Sequence, residues 1–129
     1  MSFDLKEFSK KDKPWGYEQI WAKSSDKGGY VAKVIFIKKG HRLSLQYHEK
    51  KEETILVISG TLFLDVGKEF NHQDTEGVEA IKLSEGEVFH IRPMRLHRFC
   101  AENTDVTLIE VSTHFLKDVV RVEDDYGRA

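Results

Sequence analysis

The sequence has one cysteine, Cys100, so no disulfide can form within the chain, and almost no charge imbalance, with a formal net charge of −2 at pH 7. The first shortage points to a reduced compartment. The second leaves no field to draw the chain to nucleic acid or an anionic membrane surface. No apolar run approaches the roughly 20 residues that a membrane-crossing helix needs, and the stretch Met1 to Lys11 has no apolar segment of the kind a secretory leader carries. A cytoplasmic protein is therefore expected, with neither nucleic acid nor membrane as partner. Repeats, low-complexity segments and linkers are missing too, so the 129 residues are expected to form one domain, 1–129, with one site.

Apolar material is plentiful: 40% of the residues are hydrophobic, with 8 Phe, 4 Tyr and 2 Trp, enough for one packed interior. It shows no long 3.6-residue period. From Tyr17 onward, short runs of β-branched and aromatic residues are separated by Gly, Asp, Asn and Lys clusters. Strands are predicted over Tyr17 to Ala22, Tyr30 to Lys38, Leu43 to His48, Glu53 to Ser59, Thr61 to Val66, Val78 to Leu83, Val88 to Ile91, His97 to Ala101 and Thr107 to Ser112. The class is all-β, a sandwich or closed barrel. Ser59-Gly60 reads as a tight turn and Lys68 to Gly77 as an exposed hairpin loop. Phe3 to Lys11 is expected to be a short amphipathic helix or a loose arm, and Lys117 to Ala129 an edge strand ending in an acidic turn. The strand over Glu53 to Ser59 is apolar on both faces. Leu56 and Ile58 point away from Ile55 and Val57 and need cover of their own, so a homodimer is expected.

The segment from Gly40 to Gly60 carries the chemistry. A strand over Leu43 to His48 puts Ser44, Gln46 and His48 on one face, and a bend across Glu49 to Glu52 brings Glu53 beside His48. An amide oxygen, an imidazole and a carboxylate converging on one point suit a borderline divalent ion, and His97, at the start of a later strand, is the candidate fourth ligand. Zn, Mn, Fe, Co and Ni all suit such a set. His41 at a turn and His72 in the polar loop read as exposed bystanders, and His114 has no assignable place.

Gly40 to Gly60 resembles the first cupin motif: a Gly, five residues, His-x-His, four residues, Glu, six residues, Gly. Gln46 stands where the first His usually is, and Gly86 to His97 resembles the second motif. The resemblance implies a double-stranded β-helix, the cupin jelly roll, with one divalent metal ion held by Gln46, His48, Glu53 and His97. More narrowly, the chain resembles the C-terminal cupin domain of type II mannose-6-phosphate isomerases, usually fused to a mannose-1-phosphate guanylyltransferase. The supporting blocks are Lys13-Pro-Trp-Gly-Tyr17, Lys33, Leu43-Ser-Leu-Gln-x-His48, Ile109-Glu-Val111 and Val120-Arg-x-Glu-Asp-Asp-Tyr-Gly-Arg128.

There are departures. Lys51 and Thr54-Ile55 replace an expected arginine and a His-Trp pair, Arg92-Pro-Met-Arg95 replaces Pro-x-Gly, and the segment between Val111 and Arg121 is a few residues shorter.

This resemblance implies a metal-dependent aldose-ketose isomerase acting on a sugar phosphate of the mannose-6-phosphate/fructose-6-phosphate type. The alternatives are a metal cupin acting on another (nucleotide) sugar or oxygen-dependent substrate, and a non-catalytic sugar-binding cupin. Isomerisation needs a polarised carbonyl, a base and a grip on phosphate. Lys33, Lys51 and Arg121 are the candidates for the phosphate, with Arg121 suited to a bidentate grip and Ser44 lining the same face. Glu110, His90 and Glu49 are the candidate bases, with a metal-bound water as the alternative. The mundane explanations are a solvated turn for Lys51 and a tail ion pair to Asp124 or Asp125 for Arg121.

Overall fold

The computed structural model describes residues 9–26, 28–69 and 71–129, and all of its regular structure is strand. In chain order the strands are β1 (Ser9–Lys13), β2 (Gly16–Lys23), β3 (Tyr30–Ile37), β4 (His41–Arg42), β5 (Leu45–Tyr47), β6 (Glu53–Ser59), β7 (Leu62–Val66), β8 (Glu79–Leu83), β9 (Val88–Ile91), β10 (His97–Ala101), β11 (Val106–Thr113) and β12 (Val120–Glu123). They form two antiparallel sheets, one ordered β1-β2-β3-β11-β6-β9 and the other β12-β5-β10-β7-β8, with β4 added beside β10. Neighbouring strands often lie far apart in sequence, which is the wrapping of a double-stranded β-helix. Among the described residues no helix is long and apolar enough to cross a membrane.

Period-2 alternation decides what the sheets enclose. Along β6, Glu53, Ile55 and Val57 are buried while Ile58 is exposed; along β11, Val106, Leu108, Glu110 and Ser112 are buried while Val111 is exposed. Ile55, Val57 and Leu108 join Ile35, Ile37, Leu62, Leu64 and Phe99 in one core cluster. Glu53 and Glu110 thus occupy inward positions of strands that are otherwise built to bury hydrocarbon.

Two expectations need correction. Ser9 to Lys11 belong to β1 and are neither helix nor loose arm, because pairing with β2 supplies backbone hydrogen bonds that a lysine-rich stretch does not advertise. The rest of that predicted arm, residues 3–8, lies outside the described residues. The predicted strand Leu43 to His48 is shorter as a ladder, Leu45–Tyr47, and Ser44 and His48 flank it. The tail behaves as expected, with β12 at the edge of its sheet beside β5.

Two backbone positions hold the turns in place. Gly60 closes the β6–β7 turn at φ +83°, and a Cβ there would stand 2.0 Å from the Asp105 carbonyl oxygen. Met94 adopts φ 68°, within the Arg92-Pro-Met-Arg95 loop that departs from Pro-x-Gly.

Gly60→Ala is expected to cost at least about 2 kcal/mol, from left-handed backbone strain plus the clash. It should lower the midpoint of urea unfolding without changing the slope.

The face on which Ile58, Val88 and Val111 lie exposed is the outer surface of the first sheet, spanning β9, β6 and β11. The expected homodimer has this apolar face to cover. Light scattering is expected to give twice the chain mass, and Ile58→Lys with Val111→Lys to return it to monomer. A monomer mass for the unaltered chain over a wide concentration range rejects the dimer.

Candidate metal centre

Three strand ends from both sheets meet inside the barrel. His48 follows β5 and His97 opens β10 in the second sheet, while Glu53 opens β6 in the first. All three side chains are buried, and one potential ligand atom from each lies within 4.8 Å of the others. Glu53 Oε1 is 3.0 Å from His97 Nε2 and 3.4 Å from His48 Nε2.

The other ring nitrogens fix which face each imidazole presents. His48 Nδ1–H donates to the Asp118 carbonyl, and His97 Nδ1–H donates to the Arg95 carbonyl at 2.9 Å. A carbonyl only accepts, so Nδ1 carries the proton in both rings, and a neutral ring then offers only a lone pair at Nε2. Among the described residues neither Nε2 nor either oxygen of Glu53 has a hydrogen-bond partner, and all are buried. Acceptors aimed at acceptors among buried groups are unfavourable, and positive charge between them, on an imidazolium or a bound cation, relieves the arrangement. Burial pushes the His48 pKa below 6.5 despite the pull of Glu53, so the ring is neutral at pH 7 and does not supply that cation itself. The donor set of two imidazoles and a carboxylate fits a divalent ion.

Gln46 stands beside this cluster. Its Cα pairs with that of His97 across β5 and β10, and its Oε1 accepts a hydrogen bond from Ser44 Oγ at 2.7 Å. The shared facing of Ser44, Gln46 and His48 is present: all three line a cavity of about 160 Å³ that also reaches Lys33, Glu110 and Arg121.

Lys51 is buried and is no solvated turn residue; its ammonium lies 3.1 Å from Glu110 Oε2 and 3.4 Å from Glu53 Oε2. Burial alone would lower its pKa, but the two carboxylates override that and hold it above its usual value. Glu53 is the mirror case. Burial favours its acid form, yet the positive charge of Lys51 beside it keeps the carboxyl well below its ordinary range. Glu110, also enclosed, is raised above its ordinary range by burial and by the charge of Glu53. Lys33 is buried with its ammonium 3.7 Å from Glu18 Oε2, and its Cα pairs with that of Glu110 across β3 and β11.

Arg121 has its Nε buried with no hydrogen-bond partner among the described residues. The tail carboxylates that could have tied it down are engaged elsewhere, Asp124 by Arg128 and Asp125 by Arg42.

The remaining candidates fall away from the centre. His90 pairs with Thr54 on the outer face and is bonded to Thr54 Oγ1 and Glu52 at 2.8 and 2.7 Å, so this candidate base faces away from the cavity. Glu49 is exposed. His41 and His72 are half-buried against Tyr126 and Tyr47, and are not the free surface residues expected; His114 bonds the Asp26 carbonyl. Sequence reasoning missed Glu18, visible only as an inward position of β2, and Asp118, which no period or motif marks.

The family profile described as mannose-6-phosphate isomerase C-terminal matches residues 3–124. The xanthan biosynthesis protein XanB of Xanthomonas campestris pv. campestris is 35% identical over 122 residues, covering 90% of this chain and 23% of that protein. The mannose-1-phosphate guanylyltransferase ManC of Salmonella typhimurium is 35% identical over 123 residues, covering 90% and 22%. The chain therefore spans less than a quarter of the length of these relatives. Among solved structures, the capsular polysaccharide assembling protein CapF of Staphylococcus aureus superposes with a TM-score of 0.74 at 20% identity, over 90% of this chain and 34% of that one. Oxalate decarboxylase of Bacillus subtilis gives 0.75 at 14% identity, over 93% and 31%. Likeness at these identities establishes the fold.

Chelator-stripped protein is expected to take up about one divalent ion per chain in calorimetric titration, and His48→Ala and His97→Ala to abolish tight uptake. With His48 neutral at pH 7, affinity should hold between pH 8 and 7 and fall on acidification, as protons compete for the ring. No uptake by the unaltered chain, with both variants equally inert, rejects the site.

Proposed function

The chain belongs to the family of mannose-6-phosphate isomerase C-terminal domains, and from that premise we propose that it is a metal-dependent sugar-phosphate isomerase of the mannose-6-phosphate/fructose-6-phosphate type. One observation carries the reading: a row across three adjacent strands. Arg121 of β12 pairs with Gln46 of β5, which pairs with His97 of β10. Paired residues share a face, and two interstrand steps put the Arg121 Cα about 10 Å from that of His97. Arg121, whose Nε has no hydrogen-bond partner among the described residues, and His48 of the His–Glu–His cluster thus line one cavity.

Aldose–ketose interconversion moves a proton between neighbouring carbons while the phosphate stays put. A divalent ion held by His48, Glu53 and His97, with Gln46 beside them, supplies Lewis acidity toward the sugar oxygens. Arg121 grips the phosphate through paired N–H groups. Lys33, on the same cavity wall, adds positive charge while Glu18 keeps it paired. Glu110 lines the cavity next to Lys33 and is the carboxylate placed to take the proton from one carbon and return it to the next. Ser44 fixes the amide of Gln46. Lys51 serves this site through charge balance: held between Glu53 and Glu110, it is engaged with carboxylates in place of phosphate.

Metal-loaded protein incubated in D2O with a panel of hexose phosphates is expected to exchange the C2 proton of mannose 6-phosphate or a C1 proton of fructose 6-phosphate, followed by NMR. Arg121→Ala should lose about 2 kcal/mol of sugar-phosphate binding, more than tenfold in affinity, with metal content intact. Full affinity in that variant removes the phosphate role. Sugar-phosphate binding without any exchange leaves a sugar-binding cupin.

A further inference from the structure

We propose that Asp118 is a positioning residue for the metal centre, holding His48 by its backbone carbonyl and the residues after His48 by its carboxylate. The inference rests on reading His48 as a metal ligand. Asp118 lies in the connection between β11 and β12. Its Oδ1 accepts the Glu49 N–H at 3.0 Å, and its Oδ2 accepts the Lys50 and Lys51 N–H groups at 2.7 and 2.9 Å. Three consecutive amides pointing at one anion form a concave nest, and they close the bend that carries the chain from His48 to Glu53. The same residue's carbonyl accepts the His48 Nδ1–H.

The two imidazoles are held in different ways. His97 donates to Arg95, two residues away on its own stretch of chain, whereas the partner of His48 lies 70 residues away in sequence. His97 is oriented by local geometry, and His48 only while the β11–β12 connection is docked. The Glu52–Thr113 hydrogen bonds and the Val120–Tyr47 pair fix the two ends of the connection, and between them the three charge-assisted bonds of the carboxylate hold the stretch that presents the carbonyl. Loss of the carboxylate frees the carbonyl to drift, and the His48 ring then loses the contact that keeps Nε2 unprotonated toward Glu53. Outer-layer partners of this kind are worth roughly 10–100-fold in metal affinity.

Two measurements on the full chain test this. In calorimetric titration with Zn2+, Asp118→Ala is expected to bind about 10–100-fold more weakly than the unaltered protein. Asp118→Asn, which keeps one oxygen acceptor, should fall between the two. In metal-free protein, 15N NMR of the imidazoles should show both rings protonated at Nδ1 in the unaltered chain. In the variants the His48 signature should become mixed while that of His97 stays unchanged. Unaltered affinity together with an unaltered His48 signature in Asp118→Ala overturns the assignment, and equal disturbance of both rings overturns it as well, since that is general loosening. If Asp118→Ala does not fold, Asp118→Asn alone decides by the same two readouts. If the unaltered chain takes up no Zn2+, the metal reading fails, and a shift confined to His48 still establishes the clasp.

Discussion

The arrangement on which everything else depends is a conflict built into the barrel: two imidazole lone pairs and a carboxylate converge as buried groups at one end of a small cavity. Left alone, those groups repel one another and each loses hydration. The fold tolerates this because each is fixed from behind. The rings are locked by carbonyls at Nδ1, and the carboxylate is balanced by Lys51 at 3.4 Å. What is fixed at the back cannot relax at the front, so a divalent cation between the groups lowers the cost without moving them. Any ion bound there adds its binding free energy to folding, because the unfolded chain has no such convergence. The ligands come from both sheets, so that energy acts as a staple across the sandwich.

Behind the centre, the inner face of the first sheet carries charges that alternate in sign. Lys13 and Lys33 lie 3.9 and 3.7 Å from Glu18, Lys33 pairs in register with Glu110, and Lys51 bridges Glu110 and Glu53. Each isolated buried charge would cost several kcal/mol, and alternation is what makes such a row bearable. Arg121 stands outside this scheme. Its opposite strand neighbour is the neutral Gln46, and the nearby tail acids are taken by other arginines. Among the described residues its Nε has no hydrogen-bond partner, while Lys13, Lys33 and Lys51 each face a carboxylate.

The strands were legible because alternation is a local property: Glu53–Ser59, Val88–Ile91 and His97–Ala101 fall on the ranges the pattern predicts. The convergence of His48, Glu53 and His97 was legible for a related reason. Strand ends in a closed, twice-wound sheet have little freedom, so sequence spacing translates into position. β1 was not legible, since Ser9–Lys13 is held by its partner strand and has no apolar alternation of its own. The true part played by Lys51 was hidden because its two carboxylates sit on different strands, one of them 59 residues away. Asp118 was hidden for a stronger reason: it acts on backbone amides, which every residue has, so no side-chain pattern marks its targets.

The departures from the isomerase pattern gather in one place. Met94, in the altered Arg92-Pro-Met-Arg95 loop, donates its N–H to the His48 carbonyl at 2.6 Å, and the Arg95 carbonyl next to it holds His97. The shortened β11–β12 connection supplies Asp118, which holds the His48 ring. Lys51, in place of arginine, balances Glu53. None of these residues belongs to the His–Glu–His cluster, and each touches one that does. Substitution in this outer layer changes the tilt of an imidazole or the charge on a carboxylate while leaving the donor set unchanged. Ligands fixed by strand register are costly to move, because a one-residue slip would turn every neighbouring side chain to the other face. The loops behind them carry no such constraint. A substitution one layer out from the cluster can therefore retune the centre without dismantling it.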